Sequence, residues 1–140
     1  MKVLGLDLGS RTIGIAISDS LGIIATGVET YRFQEERYDL ALNRVVELVK
    51  EKKVNKVVLG YPKHMNGDIG DRAKLCEEFK IKIEEATNLE VILVDERWTT
   101  KLAESRLLEA DISRKKRKKV IDKMAAVVIL QNYLDSKGGF

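Results

Sequence analysis

The chain has 140 residues, with 25 Lys and Arg against 22 Asp and Glu, a formal net charge of +3 and one cysteine. That length fits a single domain, expected over residues 1–140, with enough chain to bury a core. A lone Cys76 excludes an internal disulfide or a cysteine metal cluster, and no run reaches the roughly 18 apolar residues of a membrane span. No signal-peptide pattern precedes the first apolar run, so a cytoplasmic location is expected, with no membrane partner.

The opening Val3-Leu4-Gly5-Leu6-Asp7-Leu8-Gly9-Ser10-Arg11-Thr12-Ile13-Gly14-Ile15-Ala16-Ile17-Ser18 holds two apolar, β-rich runs around a short Gly-Ser-Arg turn. It predicts a hairpin with strands at about 2–8 and 12–18. Asp7 ends the first run, where the alternation calls for an apolar or neutral residue. A carboxylate so close to a buried strand loses hydration and needs a cation or several donors beside it. Gly5 and Gly9 leave the backbone around it uncovered, so a bulky group can approach. The competing role for Asp7 is that of a strand-end acid capping nearby N–H groups.

A third strand is expected at about 23–31, and the short turns favour antiparallel neighbours. A helix over about 36–52 sets Leu42, Val45, Val46 and Val49 on one face. The strand at about 54–60 is closed by Gly60 and the only proline, Pro62, and the polar loop Lys63-His64-Met65-Asn66-Gly67-Asp68 follows with an Asn-Gly turn. The next helix, about 70–87, turns Cys76, Phe79, Ile83 and Ala86 inward. A fifth strand over 91–94 runs into Asp95-Glu96-Arg97, and helices at about 100–110 and 118–136 complete the chain.

Three antiparallel strands followed by alternating helices and strands imply an α/β fold, a five-stranded mixed sheet in spatial order 3-2-1-4-5 flanked by helices. Right-handed crossovers make strands 1, 4 and 5 parallel, so their C-terminal ends share one edge. Open α/β sheets bind ligands along that edge. Asp7, the Gly60–Gly67 loop and Asp95-Glu96 all fall there.

Strand alternation sends only one of Asp95 and Glu96 toward the site. Glu96 is preferred and Asp95 is the alternative, the other acid pairing with Arg97 or capping the next helix. Asp122 lies in the first turns of a helix whose continuation, Met124-Ala125-Ala126-Val127-Val128-Ile129-Leu130, is apolar all round and therefore buried. Its bland alternative is a first-turn acid favoured by the helix dipole. Three carboxylates suit Mg²⁺ or Mn²⁺. Two such ions about 4 Å apart activate a water and stabilise the leaving oxygen in phosphodiester cleavage.

The unbroken run Arg114-Lys115-Lys116-Arg117-Lys118-Lys119 points to a polyanion, its alternative being a solvated loop. Lys63, Asn66 and Arg97 join it as candidate nucleic-acid contacts. His64 could assist proton transfer or simply be solvated, Cys76 belongs to the core, and Tyr61 and Trp98 could pack or stack on a base.

With these pieces placed, the chain resembles the YqgF family of Holliday-junction-resolvase-like proteins and nucleases for pre-16S rRNA processing. The resemblance spans essentially the whole chain. It rests on Leu6-Asp7-Leu8-Gly9-Ser10-Arg11-Thr12-Ile13-Gly14, Gly60-Tyr61-Pro62-Lys63-His64-Met65-Asn66-Gly67, Asp95-Glu96-Arg97-Trp98-Thr99-Thr100 and Asp122-Lys123-Met124-Ala125-Ala126, in that order. It implies a ribonuclease-H-like fold, a metal-dependent endonuclease, and acidic ligands at Asp7, Glu96 and Asp122. Maturation of the 5′ end of pre-16S rRNA is the expected reaction, with branched DNA as the alternative substrate. Junction cleavage would favour a homodimer, whereas RNA trimming needs only a monomer. Two readings compete: an actin-like ATP-binding domain, which shares the opening hairpin, and a catalytically silent nucleic-acid-binding module, against which the three acids argue.

Overall fold

The computed structural model describes residues 1–61, 69–95 and 125–136, the side chains of 69–72 and 95 excepted. Strands β1 (Val3–Leu8) and β2 (Thr12–Ser18) form the expected antiparallel hairpin. The Gly9 N–H closes its turn by donating to the Thr12 carbonyl at 2.7 Å. β3 (Ala25–Arg32) pairs antiparallel with β2. Ile23 and Ile24, expected inside this strand, precede it. Their N–H groups donate to the Asp19 carboxylate at 2.7 and 3.2 Å, which keeps them in the turn.

β4 (Lys56–Tyr61) lies parallel to β1, and β5 (Val91–Asp95) lies parallel to β4. The sheet order is β3-β2-β1-β4-β5, as the hairpin and the crossovers require. Asn55 sets the register of the crossover. Its side chain accepts the Lys2 N–H at 2.9 Å, and its own N–H donates to the Lys2 carbonyl at 2.8 Å.

Side chains alternate across the sheet and fill two separate cores. On one face Leu4, Leu6, Leu8, Ile13, Ile15, Val57 and Leu59 pack with α1 (Tyr38–Glu51) and α2 (Ile69–Thr87). The inward stripe of α1 centres on Ala41, Val45 and Leu48, so Leu42 and Val46 sit half-buried at its flank. On α2, Cys76, Phe79 and Ile83 are buried as expected, but Ala86 is exposed. The stripe passes instead to Thr87, whose hydroxyl donates to the Ile83 carbonyl at 2.7 Å and ends the helix.

The opposite face is covered by α3 (residues 125–136), which brings Ala126, Ile129, Leu130, Tyr133 and Leu134 onto Val3, Ala16 and Val58. The helix expected at 100–110 and the start of the last helix lie outside the described residues. α3 rests directly on the β1 backbone. A Cβ at Gly5 would fall 2.6 Å from the Leu130 Cβ and 3.2 Å from the Ala126 carbonyl oxygen.

The direction of α3 follows from its other contacts. The Lys56 ammonium donates to the Tyr133 hydroxyl at 3.3 Å, and Lys56 pairs with Val3. The Gln131 side chain accepts the Ala25 N–H at 2.9 Å and donates to the Ile23 carbonyl at 2.8 Å. The last turns of α3 therefore lie over the start of β1, and its first turn lies over Gly5. Helix and strand run in opposite directions.

Gly5→Ala tests this contact. Overpacking is expected to cost about 1–3 kcal/mol, read as a lowered urea midpoint with an unchanged denaturant slope. An unchanged midpoint would mean that α3 does not rest on the β1 backbone.

Candidate nucleic-acid cleavage site

Asp7 lies on the α3 face of β1, one pleat beyond Gly5, and is half-buried. Across β2 it pairs with Gly14. On the other side Leu6 pairs with Leu59, so the next step of the parallel ladder sets Asp7 level with Gly60. Gly60 in turn pairs with Val94 of β5. The row through Asp7 thus reads Thr30, Gly14, Asp7, Gly60, Val94 from β3 to β5. A half-buried carboxylate stands between two buried glycines, in a row spanning about 10 Å, two strand spacings. α3 contacts the row before this one, at Gly5. Gly14 and Gly60 were present in the sequence motifs, but only the register reveals that they flank the acid.

Beneath the strip, on the opposite face, the buried Cys76 thiol donates to the Gly60 carbonyl at 3.6 Å. This ties α2 to the floor and confirms Cys76 as a core residue. Tyr61 packs against the α1–α2 core, and its hydroxyl donates to the Glu77 carboxylate at 3.0 Å. Packing is therefore its structural role.

Asp95 pairs with Tyr61 at the end of β5, two residues beyond Leu93 and four beyond Val91. Both of those residues belong to the α1–α2 side, whereas Val94 belongs to the α3 side with Asp7. Glu96, Arg97, Trp98, Asp122, Lys63, His64, Asn66 and the run Arg114 to Lys119 lie outside the described residues. Among the described residues no three His, Cys, Asp or Glu side chains converge as a metal site. The described donor nonetheless fits a hard divalent ion by type: Asp7 is a half-buried carboxylate, and such ions take oxygen ligands. No helix among the described residues is long and apolar enough to cross a membrane.

Comparison with known proteins matches residues 1–136 to the RuvX family, described as Holliday junction resolvase. A Bacillus cytotoxicus protein is 56% identical over 137 residues, covering 98% of this chain and 100% of the relative. A Bacillus thuringiensis relative is 53% identical with the same coverage. Both are named as candidate pre-16S rRNA nucleases. Among solved structures, Thermus thermophilus RuvC in complex with a Holliday junction substrate superimposes with a TM-score of 0.65 at 15% identity, covering 99% of this chain and 96% of that one. The fowlpox virus resolvase with Holliday junction DNA gives 0.60 at 12% identity, covering 98% and 99%. These two share the fold.

The Tyr61 phenol makes the edge of the site pH-sensitive. Its hydrogen bond to Glu77 favours the protonated form and holds its pKa above the usual value. The bond's contribution is complete below the ordinary phenol pKa and is lost as the pH rises through the raised folded-state value. Glu77→Gln should return the phenol toward its usual titration range, followed by phenolate absorbance with Tyr61→Phe identifying the signal. An unchanged titration would remove the bond from the account.

Proposed function

The chain belongs to the RuvX family, described as Holliday junction resolvases, and on that footing we propose that it is a divalent-metal-dependent endonuclease whose substrate is precursor 16S rRNA. The observation that carries this reading is the Asp7 carboxylate, set level with two glycines at the C-terminal edge of the parallel strands. The rRNA substrate is supported by the names of relatives 53–56% identical over their whole length. Such a substrate goes with a cytoplasmic location.

Asp7, Glu96 and Asp122 form the proposed ligand set. Support for Glu96 over Asp95 comes from the register: Val94 shares the face of Asp7, and alternation returns to that face at position 96. Support for Asp122 comes from the path of α3. Ala126 lies over Gly5 and the helix runs against β1, so α3 begins on the Asp7 side of that contact, three residues after Asp122 in the sequence. Mg²⁺ or Mn²⁺ held there supplies a water of lowered pKa and neutralises charge on the leaving oxygen. The chain's own residues do the rest. Asp7 would hold that ion at the C-terminal edge of the parallel strands, level with Gly14 and Gly60. Lys63, Asn66 and Arg97 are proposed as further backbone contacts, and Arg114 to Lys119 as the electrostatic clamp.

A second reading, cleavage of four-way DNA junctions, follows from the family description. It needs a two-fold dimer to make paired cuts, whereas a monomer can trim RNA. Wild type and Asp7→Asn are compared on a precursor rRNA fragment, single-stranded RNA and junction DNA, each in Mg²⁺ and in EDTA. Cleavage of the rRNA fragment is expected, lost in EDTA and abolished by Asp7→Asn with an unchanged circular dichroism spectrum. An undiminished Asp7→Asn rate would remove Asp7 from the mechanism, and junction cleavage alone would move the assignment to a resolvase. Asp7-dependent ATP hydrolysis without any cleavage would restore the actin-like reading.

The clamp makes its own prediction. Replacing four of the six cations between Arg114 and Lys119 by Gln should weaken binding to any sequence and flatten the salt dependence by roughly three to four in log–log slope. An unchanged slope would make the run a solvated segment.

A further inference from the structure

Five large apolar side chains stand out in solvent among the described residues, and four of them lie at the turn between β2 and β3. Met1, Leu21, Ile23 and Ile24 are each between 57% and 78% exposed. The Met1 ammonium donates to the Ser20 carbonyl at 2.5 Å, which lays the first residue against the turn. Single exposed apolar residues are ordinary, but a contiguous group of four marks an interaction surface.

The turn is held from several sides. One Asp19 carboxylate oxygen accepts the N–H groups of Ile23 and Ile24, and the Asp19 carbonyl accepts the Gly22 N–H at 3.1 Å. Gly22 has φ 72°, a conformation that glycine takes without strain. From α3, the Gln131 side chain accepts the Ala25 N–H and donates to the Ile23 carbonyl. The apolar side chains are thus carried on a fixed backbone, so a partner binds them with little further loss of conformational entropy.

Two carboxylates flank Ile23. Asp19 binds its N–H directly, and Asp135 shares the Gln131 amide nitrogen with the Ile23 carbonyl, at 3.0 and 2.8 Å. Neither acid forms an ion pair with a described residue. The Met1 ammonium lies at Ser20, on the other side of the turn. These acids repel a phosphate backbone or an anionic membrane, and a second copy of the turn would bring like charges together. An apolar surface with acids at its edge fits a protein groove bordered by Lys or Arg. Its place in the fold suits such a partner. The Val3 N–H donates to the Ser18 hydroxyl just before the turn, four residues or about 13 Å back along β1 from Asp7. A partner there sits at the opposite end of the sheet from the C-terminal edge of the parallel strands.

We propose that this turn docks the chain onto a basic protein of the precursor small ribosomal subunit. An apolar groove of that protein takes Leu21, Ile23 and Ile24, and Lys or Arg side chains on its rim meet Asp19 and Asp135. The identity of the partner rests on the precursor-rRNA reading, but the contact itself is measured by binding alone. Docking at one end of the sheet raises the local concentration of rRNA at the other.

The test compares binding of the labelled full chain to purified precursor small subunits and to the same rRNA stripped of protein, in Mg²⁺, alongside thermal unfolding and cleavage of the stripped rRNA. Wild type should prefer the particle by roughly tenfold or more, the worth of burying two apolar side chains. Leu21→Ser combined with Ile24→Ser should remove that preference, with Tm, binding to stripped rRNA and its cleavage unchanged. Asp135→Asn keeps an acceptor for Gln131 and should weaken particle binding at low salt. Ile81→Ser, at the exposed apolar residue of α2, should alter nothing. Equal wild-type affinity for the two probes, an undiminished preference in the double variant or in Asp135→Asn, or an equal loss with Ile81→Ser would overturn the proposal. So would a dimer that Leu21→Ser dissociates, or tighter particle binding once residues 137–140 are removed, since either gives the turn another occupant. A particle preference lost in the double variant, without cleavage of any rRNA, sinks the nuclease reading and leaves the docking surface. Cleavage of stripped rRNA without a particle preference does the reverse.

Discussion

The structure depends on the direct contact between α3 and the backbone of β1 at Gly5. A Cβ there would overlap Leu130, so only glycine lets the helix settle to this depth. The described part of α3 begins over that contact. The helix shields the rows of Val3 and Gly5, and the next row along β1 is that of Asp7. The same contact sets the direction in which the helix approaches. Lys56 and Tyr133 hold its far end at the start of the parallel strands, and its near end turns toward their C-terminal edge.

Around Asp7 the two faces of the sheet differ in side-chain content. Gly14 and Gly60 contribute no side chains to the strip, so its stability comes from the opposite face, where Leu6, Leu8, Ile13 and Leu59 are fully covered by α1 and α2. One face of the same strands is dense and apolar. The other carries, in the row of Asp7, a half-buried carboxylate between two buried glycines. The bulge at Val28 extends this division to β3 by turning Glu29 toward Arg44 and leaving Thr30 on the face of Asp7.

Much of this was legible in the chain. The short Gly-Ser-Arg turn and the two crossovers dictate the strand order, and Asp7 breaks an apolar alternation conspicuously enough to be singled out. The hydrophobic patterns of α1 and α2 located the helices, but the inward stripe of α1 is rotated toward Ala41 and Leu48 and Ala86 is exposed. Periodicity identifies a helix more securely than it identifies the centre of its buried face. Ile23 and Ile24 look like strand residues by composition, and the Asp19 side chain captures their N–H groups before the ladder can. The glycine strip and the position of Thr30 were not legible, because both depend on register and on a bulge, which no single segment encodes. Choosing between Asp95 and Glu96 likewise required knowing which row Val94 joins.

The central claim is that Asp7 and the strip between Gly14 and Gly60 hold a divalent ion on the α3 face of the sheet. A crystal structure grown in Mn²⁺, with anomalous scattering used to locate the ion, tests it most directly. The account predicts manganese bound to an Asp7 carboxylate oxygen on the face of Gly14 and Gly60, with Glu96 and Asp122 completing the ligand set. Manganese bound elsewhere while Asp7 spends both oxygens on protein donors would contradict it.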